Sequence, residues 1–158
     1  FGEAMENLKK YDLIPAIHEI AERGTPFLGI CLGLQLLFER SQESPGVSGL
    51  GLLKGEILRI PDSPGLKIPH MGWNSLHLQN GGRLFREIPE DSYVYFVHSY
   101  YLKAEEPQIV KAVTEYSTCI HAAVEKDNIF ACQFHPEKSS ATGLRILRNF
   151  AELKGGRD

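Results

Sequence analysis

The chain has 158 residues, 42% of them hydrophobic and 23% charged, with a net charge of −3. That is enough for one domain with a full core, and the absence of any Lys/Arg block gives no reason to expect nucleic acid as a partner. The longest apolar stretch, residues 26–38, is broken by glycines and a glutamine and is too short to span a bilayer. Residues 3–10 read as a short helix. Residues 13–23 read as a second, with Leu13, Ile14, Ile17, Ile20 and Ala21 close to an i, i+3, i+4, i+7 stripe and Gly24 as its stop. Residues 26–31 form an apolar run without alternation, as expected of a strand covered on both faces. A helix is predicted over 32–40 and a loop over 41–51. Beyond this the texture turns to strands: 55–60 and 75–79, the latter closed by an Asn80-Gly81-Gly82 turn, then a long aromatic strand over 93–101, then 109–114, 122–125 and 129–134. An amphipathic helix over 142–153 closes the chain.

The order predicts an α/β domain with a central parallel sheet and an added antiparallel portion. A strand leading into the turn at Cys31 needs parallel neighbours, and too few precede it. The chain opens Phe-Gly-Glu-Ala-Met, with neither an initiator methionine in front nor a secretory pattern. A front β/α unit is therefore expected to be missing. Three cysteines, Cys31, Cys119 and Cys132, without paired spacing fit a reducing cytoplasm.

The chemistry concentrates in Gly29-Ile30-Cys31-Leu32-Gly33. This is the G-x-nucleophile-x-G elbow with cysteine as the nucleophile, at a strand-to-helix corner. Both glycines are expected to remove Cβ atoms that would clash there, and the helix N-terminus to favour thiolate. A cysteine nucleophile needs a base, and the base needs an orienting group. Gln133-Phe134-His135-Pro136-Glu137 supplies both: His135 follows a strand, Pro136 forces a turn, and Glu137 can reach back to the imidazole. Gln35, one helical turn beyond Cys31, lies on the thiol's face. Set among Leu34, Leu36, Leu37 and Phe38, its amide is expected to have a dedicated partner. Cys119 and Cys132 sit in strand-like runs and read as sheet or core residues. The remaining histidines show no metal-ligand spacing, and neither metal nor cofactor is assigned.

Three separated blocks, residues 29–38, His98-Ser99-Tyr100 and residues 133–138, together resemble the triad-type, class I glutamine amidotransferases. The resemblance covers essentially the whole chain. It implies their three-layer α/β fold, with a mostly parallel central sheet and an antiparallel portion, first strands missing, as a single amidotransferase domain over residues 1–158. Within the family, Pro69-His-Met-Gly-Trp-Asn74, residues 95–101 and Lys138-Ser139-Ser140 are similar to the glutaminase subunits of imidazole glycerol phosphate synthases. That likeness implies a triad of Cys31, His135 and Glu137 hydrolysing glutamine, an oxyanion held by the Leu32 N–H and by a glycine-rich loop preceding Phe1, and glutamine held by Gln35, Ser99 and Tyr100. It also implies a cytoplasmic heterodimer with a (β/α)8-barrel cyclase, contacted through Trp73, Tyr95 and Lys138. From the residues alone Trp73 reads equally as a core tryptophan. Three other readings stay open: an amidotransferase serving anthranilate or guanylate synthesis, a cysteine peptidase or related hydrolase, and a regulatory module with a dead site.

Overall fold

Ile129, Phe130, Ala131 and Cys132 are all buried, although side chains alternate faces along a strand. A sheet with both faces covered is the only place for such a run. The computed structural model describes residues 1–153. Its helices are α1 (Gly2–Lys10), α2 (Ile14–Arg23), α3 (Leu32–Leu36) and α4 (Ser140–Ala151). Its strands are β1 (Phe27–Ile30), β2 (Arg40–Ser41), β3 (Gly55–Arg59), β4 (His70–Ser75), β5 (His77–Leu78), β6 (Tyr93–His98), β7 (Tyr100–Ala104), β8 (Val110–Tyr116), β9 (Thr118–Lys126) and β10 (Ile129–Cys132).

The main sheet has the order β1-β10-β9-β8-β5. The parallel element is the β1–β10 pair, in register from Phe27 opposite Ile129 to Ile30 opposite Cys132. The remaining pairs of this sheet are antiparallel. On one face Phe130 and Cys132 pack with Phe96, Phe134 and, from α4, Ile146. On the other, Ile129 and Ala131 pack with Leu34 of α3, with Leu37 just beyond it, and with Ile57 and Leu102 of a smaller sheet, β2-β3-β7. A two-stranded sheet, β4–β6, completes the antiparallel portion. At about 2 kcal/mol for each fully buried large apolar side chain, these two layers hold β10 between them. Among the described residues no helix is long and apolar enough to cross a membrane.

Three expectations are corrected. The helix after Cys31 ends at Leu36 and does not reach residue 40. Loop amides intercept its last carbonyls, Leu50 N–H donating to Leu36 O at 2.8 Å and Leu53 N–H to Leu37 O at 3.1 Å, so the next turn is not needed to satisfy them. The long strand over 93–101 is two strands in two sheets. β6 pairs with β4 and β7 with β3, and the chain changes sheet at Ser99, whose carbonyl accepts the Ile60 N–H at 2.9 Å. Finally, the segment beginning at His70 is a strand that the periodicity did not reveal, because Gly72 and exposed Met71 and Trp73 interrupt its apolar pattern.

Candidate active site

β1 and β10 run parallel and end side by side, so the residues that follow them leave the same edge of the sheet. After β1 comes Cys31, its N–H donating to Cys132 O at 2.8 Å. After β10 come Gln133, Phe134 and His135. Cys31 holds φ 55° and ψ −106°, a conformation that costs a non-glycine residue on the order of 1–3 kcal/mol. Gly29 is required for this corner, since a Cβ there would lie 2.8 Å from the carbonyl carbon and oxygen of Gly33. Gly33 is not required on the same ground: a Cβ on it would meet nothing within 4 Å, which corrects half of the expectation for the pair.

The thiol environment also departs from expectation. Burial raises the pKa of Cys31 above the ordinary thiol value, and the charge of Glu137 adds to this. The N–H of Leu32, the side chain of Gln133 and the charge of Lys138 work in the opposite direction without overcoming burial. A five-residue helix offers little dipole. The thiol is therefore protonated at rest and needs a base.

His135 is held firmly in place. Its N–H donates to Tyr95 O at 3.0 Å, its carbonyl accepts the Ser139 hydroxyl at 2.6 Å, and Ser139 Oγ in turn accepts the Tyr95 N–H at 3.0 Å. One buried serine thus fastens the His135 turn to β6. The imidazole Nδ1 lies 2.9 Å from Glu137 Oε2. A carboxylate only accepts, so Nδ1 carries the proton and Nε2 is the free basic atom. Helix α4 closes against this turn so tightly that a Cβ on Gly143 would fall 1.8 Å from Pro136 O.

Cys31, Leu32, Gln35, His98, Ser99 and Tyr100 line one cleft of about 310 Å³. The amide nitrogen of Gln35 donates to Tyr100 O and to Gln133 Oε1, both at 3.1 Å, which are the partners its apolar setting called for. The Gln133 amide then reaches Cys31 Sγ at 3.6 Å. Gln133 and Ser139 were not singled out as site residues in the sequence. The available signal was a polar residue inside an otherwise apolar strand end, which must find a partner when buried. Trp73 is exposed, against the core alternative, and meets Tyr95 edge-on at 6.0 Å on the β4–β6 sheet. Lys138 is exposed beside the base. Cys132 is a core residue, and Cys119 faces outward from β9.

His98 and His70 are buried, and burial pushes both imidazoles down to about 4. His98 also feels the charge of His135, opposed by its hydrogen bond to the Tyr100 carbonyl; His70 feels that of His98. Between their ordinary value of 6.5 and about 4, the unfolded chain binds protons that the folded chain refuses. Stability therefore falls as pH drops through that window. Thermal unfolding should show a lower Tm at pH 5 than at pH 6.5; a flat Tm between them would contradict the burial of these rings as neutral groups.

An elbow cysteine and a carboxylate-oriented histidine beyond the ends of neighbouring parallel strands define a class of protein, and this chain belongs to it: residues 6–153 match the family glutamine amidotransferase class-I. Among solved structures the fold resembles a glutamine amidotransferase (TM-score 0.64, 18% identity, 91% of this chain and 71% of that one). It also resembles a glutamine amidotransferase from Thermotoga maritima (TM-score 0.60, 23% identity, 96% of this chain and 57% of that one). More specifically, the chain is 52% identical to the imidazole glycerol phosphate synthase subunit HisH of Moorella thermoacetica, over 97% of its own length and 72% of that protein. It is 49% identical to the HisH subunit of Methanocaldococcus jannaschii, over 97% of its length and 76% of that protein.

Proposed function

We propose that this chain is the glutaminase subunit of an imidazole glycerol phosphate synthase, releasing ammonia from glutamine for a cyclase subunit in histidine biosynthesis. Its identity of about half to HisH subunits supports the subunit assignment. The observation that carries the chemistry is the strained Cys31, with the Gln133 amide on its sulfur, at the same sheet edge as the His135–Glu137 pair.

The thiol proton passes to His135 Nε2 as Sγ attacks the carboxamide carbon, and the carbonyl oxygen becomes an oxyanion at the Leu32 N–H. His135 returns that proton to the departing nitrogen, leaving a thioester and ammonia. It next takes a proton from water, whose oxygen attacks the thioester, and glutamate leaves as the thiol is restored. Glu137 keeps Nδ1 protonated throughout and offsets the imidazolium charge. Both amide protons of Gln35 are engaged, so its Oε1 is left to accept from the substrate's ammonium group, with the Ser99–Tyr100 backbone holding the other end.

Trp73 and Tyr95 on the β4–β6 sheet, with Lys138 beside them, form the face we assign to the cyclase, a (β/α)8 barrel. The complete protein is expected to hydrolyse glutamine slowly alone and on the order of 5- to 150-fold faster with the cyclase and its substrate analogue, the range of ordinary allosteric coupling. Lys138→Ala should weaken association or activation and leave the fold intact. Glutaminase rate measured against added cyclase is the test, and a protein equally fast alone refutes partner control.

A further inference from the structure

We propose that His70 and His98, neither of which the mechanism uses, are positioning residues. They form a one-directional pair of imidazoles, both in the Nδ1–H form, that clamps the Tyr100 carbonyl in the glutamine cleft. The inference deepens the glutaminase reading and rests on it.

The direction follows from the two ends independently. At one end the Asn74 side chain cannot be flipped: its Oδ1 accepts the Ser75 N–H at 2.8 Å and its Nδ2 donates to Glu115 O at 3.0 Å. Its second amide proton points to His70 Nε2 at 3.3 Å, so that nitrogen must accept and Nδ1 must carry the ring proton. His70 Nδ1 lies 3.0 Å from His98 Nε2, which must then accept, leaving the His98 proton on Nδ1. That atom sits 2.8 Å from Tyr100 O. From the other end, a carbonyl can only accept, so His98 Nδ1 must donate. The same assignment then follows back to Asn74. Any other tautomer, or a second proton on either ring, sets two donors or two acceptors face to face in a buried site, where an unsatisfied polar group is costly.

The rings are also mechanically fixed. His70 lies stacked between Phe96, centroids 4.7 Å apart, and Tyr116, at 4.0 Å. The clamp matters because Tyr100 O receives a second donor, the Gln35 amide, which also bonds Gln133 and through it reaches Cys31 Sγ. Holding Tyr100 O in place holds Gln35 in the orientation that leaves its oxygen for substrate. The expected signature is therefore in glutamine binding more than in the bond-breaking step.

The test uses the full-length protein in complex with its cyclase. Nitrogen-15 spectra of the histidine rings should show His70 and His98 both neutral and protonated at Nδ1, the less common form in solution. An Nε2–H ring at either position, or a charged ring at pH 7, overturns the proposal whatever the activity. His98→Leu should raise KM for glutamine about tenfold, the effect of one buried hydrogen bond, with a smaller fall in kcat. His98→Asn, which can place an amide N–H where Nδ1–H stood, should recover most of the KM. His70→Leu should release the His98 tautomer and give an intermediate KM. Equal losses in kcat and KM for His98→Leu, or failure of the asparagine variant to recover KM, overturn the positioning role. A wild-type complex that binds and hydrolyses no glutamine instead overturns the glutaminase reading, and with it the cleft the clamp would serve, while the ring spectra still decide the tautomers.

Discussion

Replacing Cys31 by alanine is expected to reduce glutamine hydrolysis in the complete protein by at least about 10⁴-fold, because removal of a nucleophile leaves only binding and oxyanion stabilisation. The fold should persist, since Cys31 is only partly buried and its main-chain bond to Cys132 O survives the change. A glutamine-mimicking electrophile should label this thiol in the wild type and nothing in the variant. Labelling of exposed Cys119 would defeat the assignment. The strained backbone adds a second measurement. At φ 55° and ψ −106° only glycine relaxes freely, so Cys31→Gly should be more stable than Cys31→Ala by about 1 kcal/mol. Equal stability of the two inactive variants would mean that the corner stores no strain.

The second large effect separates the two glycines of the elbow. Gly29→Ala drives a methyl to 2.8 Å from the backbone of Gly33, which cannot rotate away, and should cost about 3 kcal/mol together with nearly all activity. Gly33→Ala meets open space at an ordinary backbone angle and should leave stability unchanged or raise it by up to about 1 kcal/mol, alanine being the better helix former. Denaturant midpoints of the two variants decide this. Equal destabilisation would show that both glycines serve backbone approach.

The elements legible in the sequence were those where one local rule dominates. An apolar run without alternation marked the first strand of the parallel pair, and the glycines with Pro136 marked the turns that carry Cys31 and His135. The helix after the elbow was read too long because Leu37 and Phe38 continue an apolar pattern. Loop amides from residues 50–53, which no local rule anticipates, take over the carbonyls that the next turn would have used. Likewise Ser99 is an unremarkable residue inside an alternating run, and only the competition of two partner strands, β4 and β3, splits it. At the site, Cys31, His135 and Glu137 are singled out by local sequence, Glu137 lying only two residues from His135. Gln133, Ser139 and His70 are not, because their hydrogen-bond partners lie far away in the chain.

The parallel junction of β1 and β10 has a temporal consequence. Gln133 and Cys31 stand 102 positions apart, so β10 is made long after β1. At ~5–20 residues per second on the ribosome, Cys31 emerges roughly 5–20 s before His135 exists. Through that interval the thiol lacks its Gln133 contact, its strand neighbour and the histidine we assign as its proton acceptor. A polypeptide without residues 129–137 has neither β10 nor the proposed base and is expected to hydrolyse no glutamine.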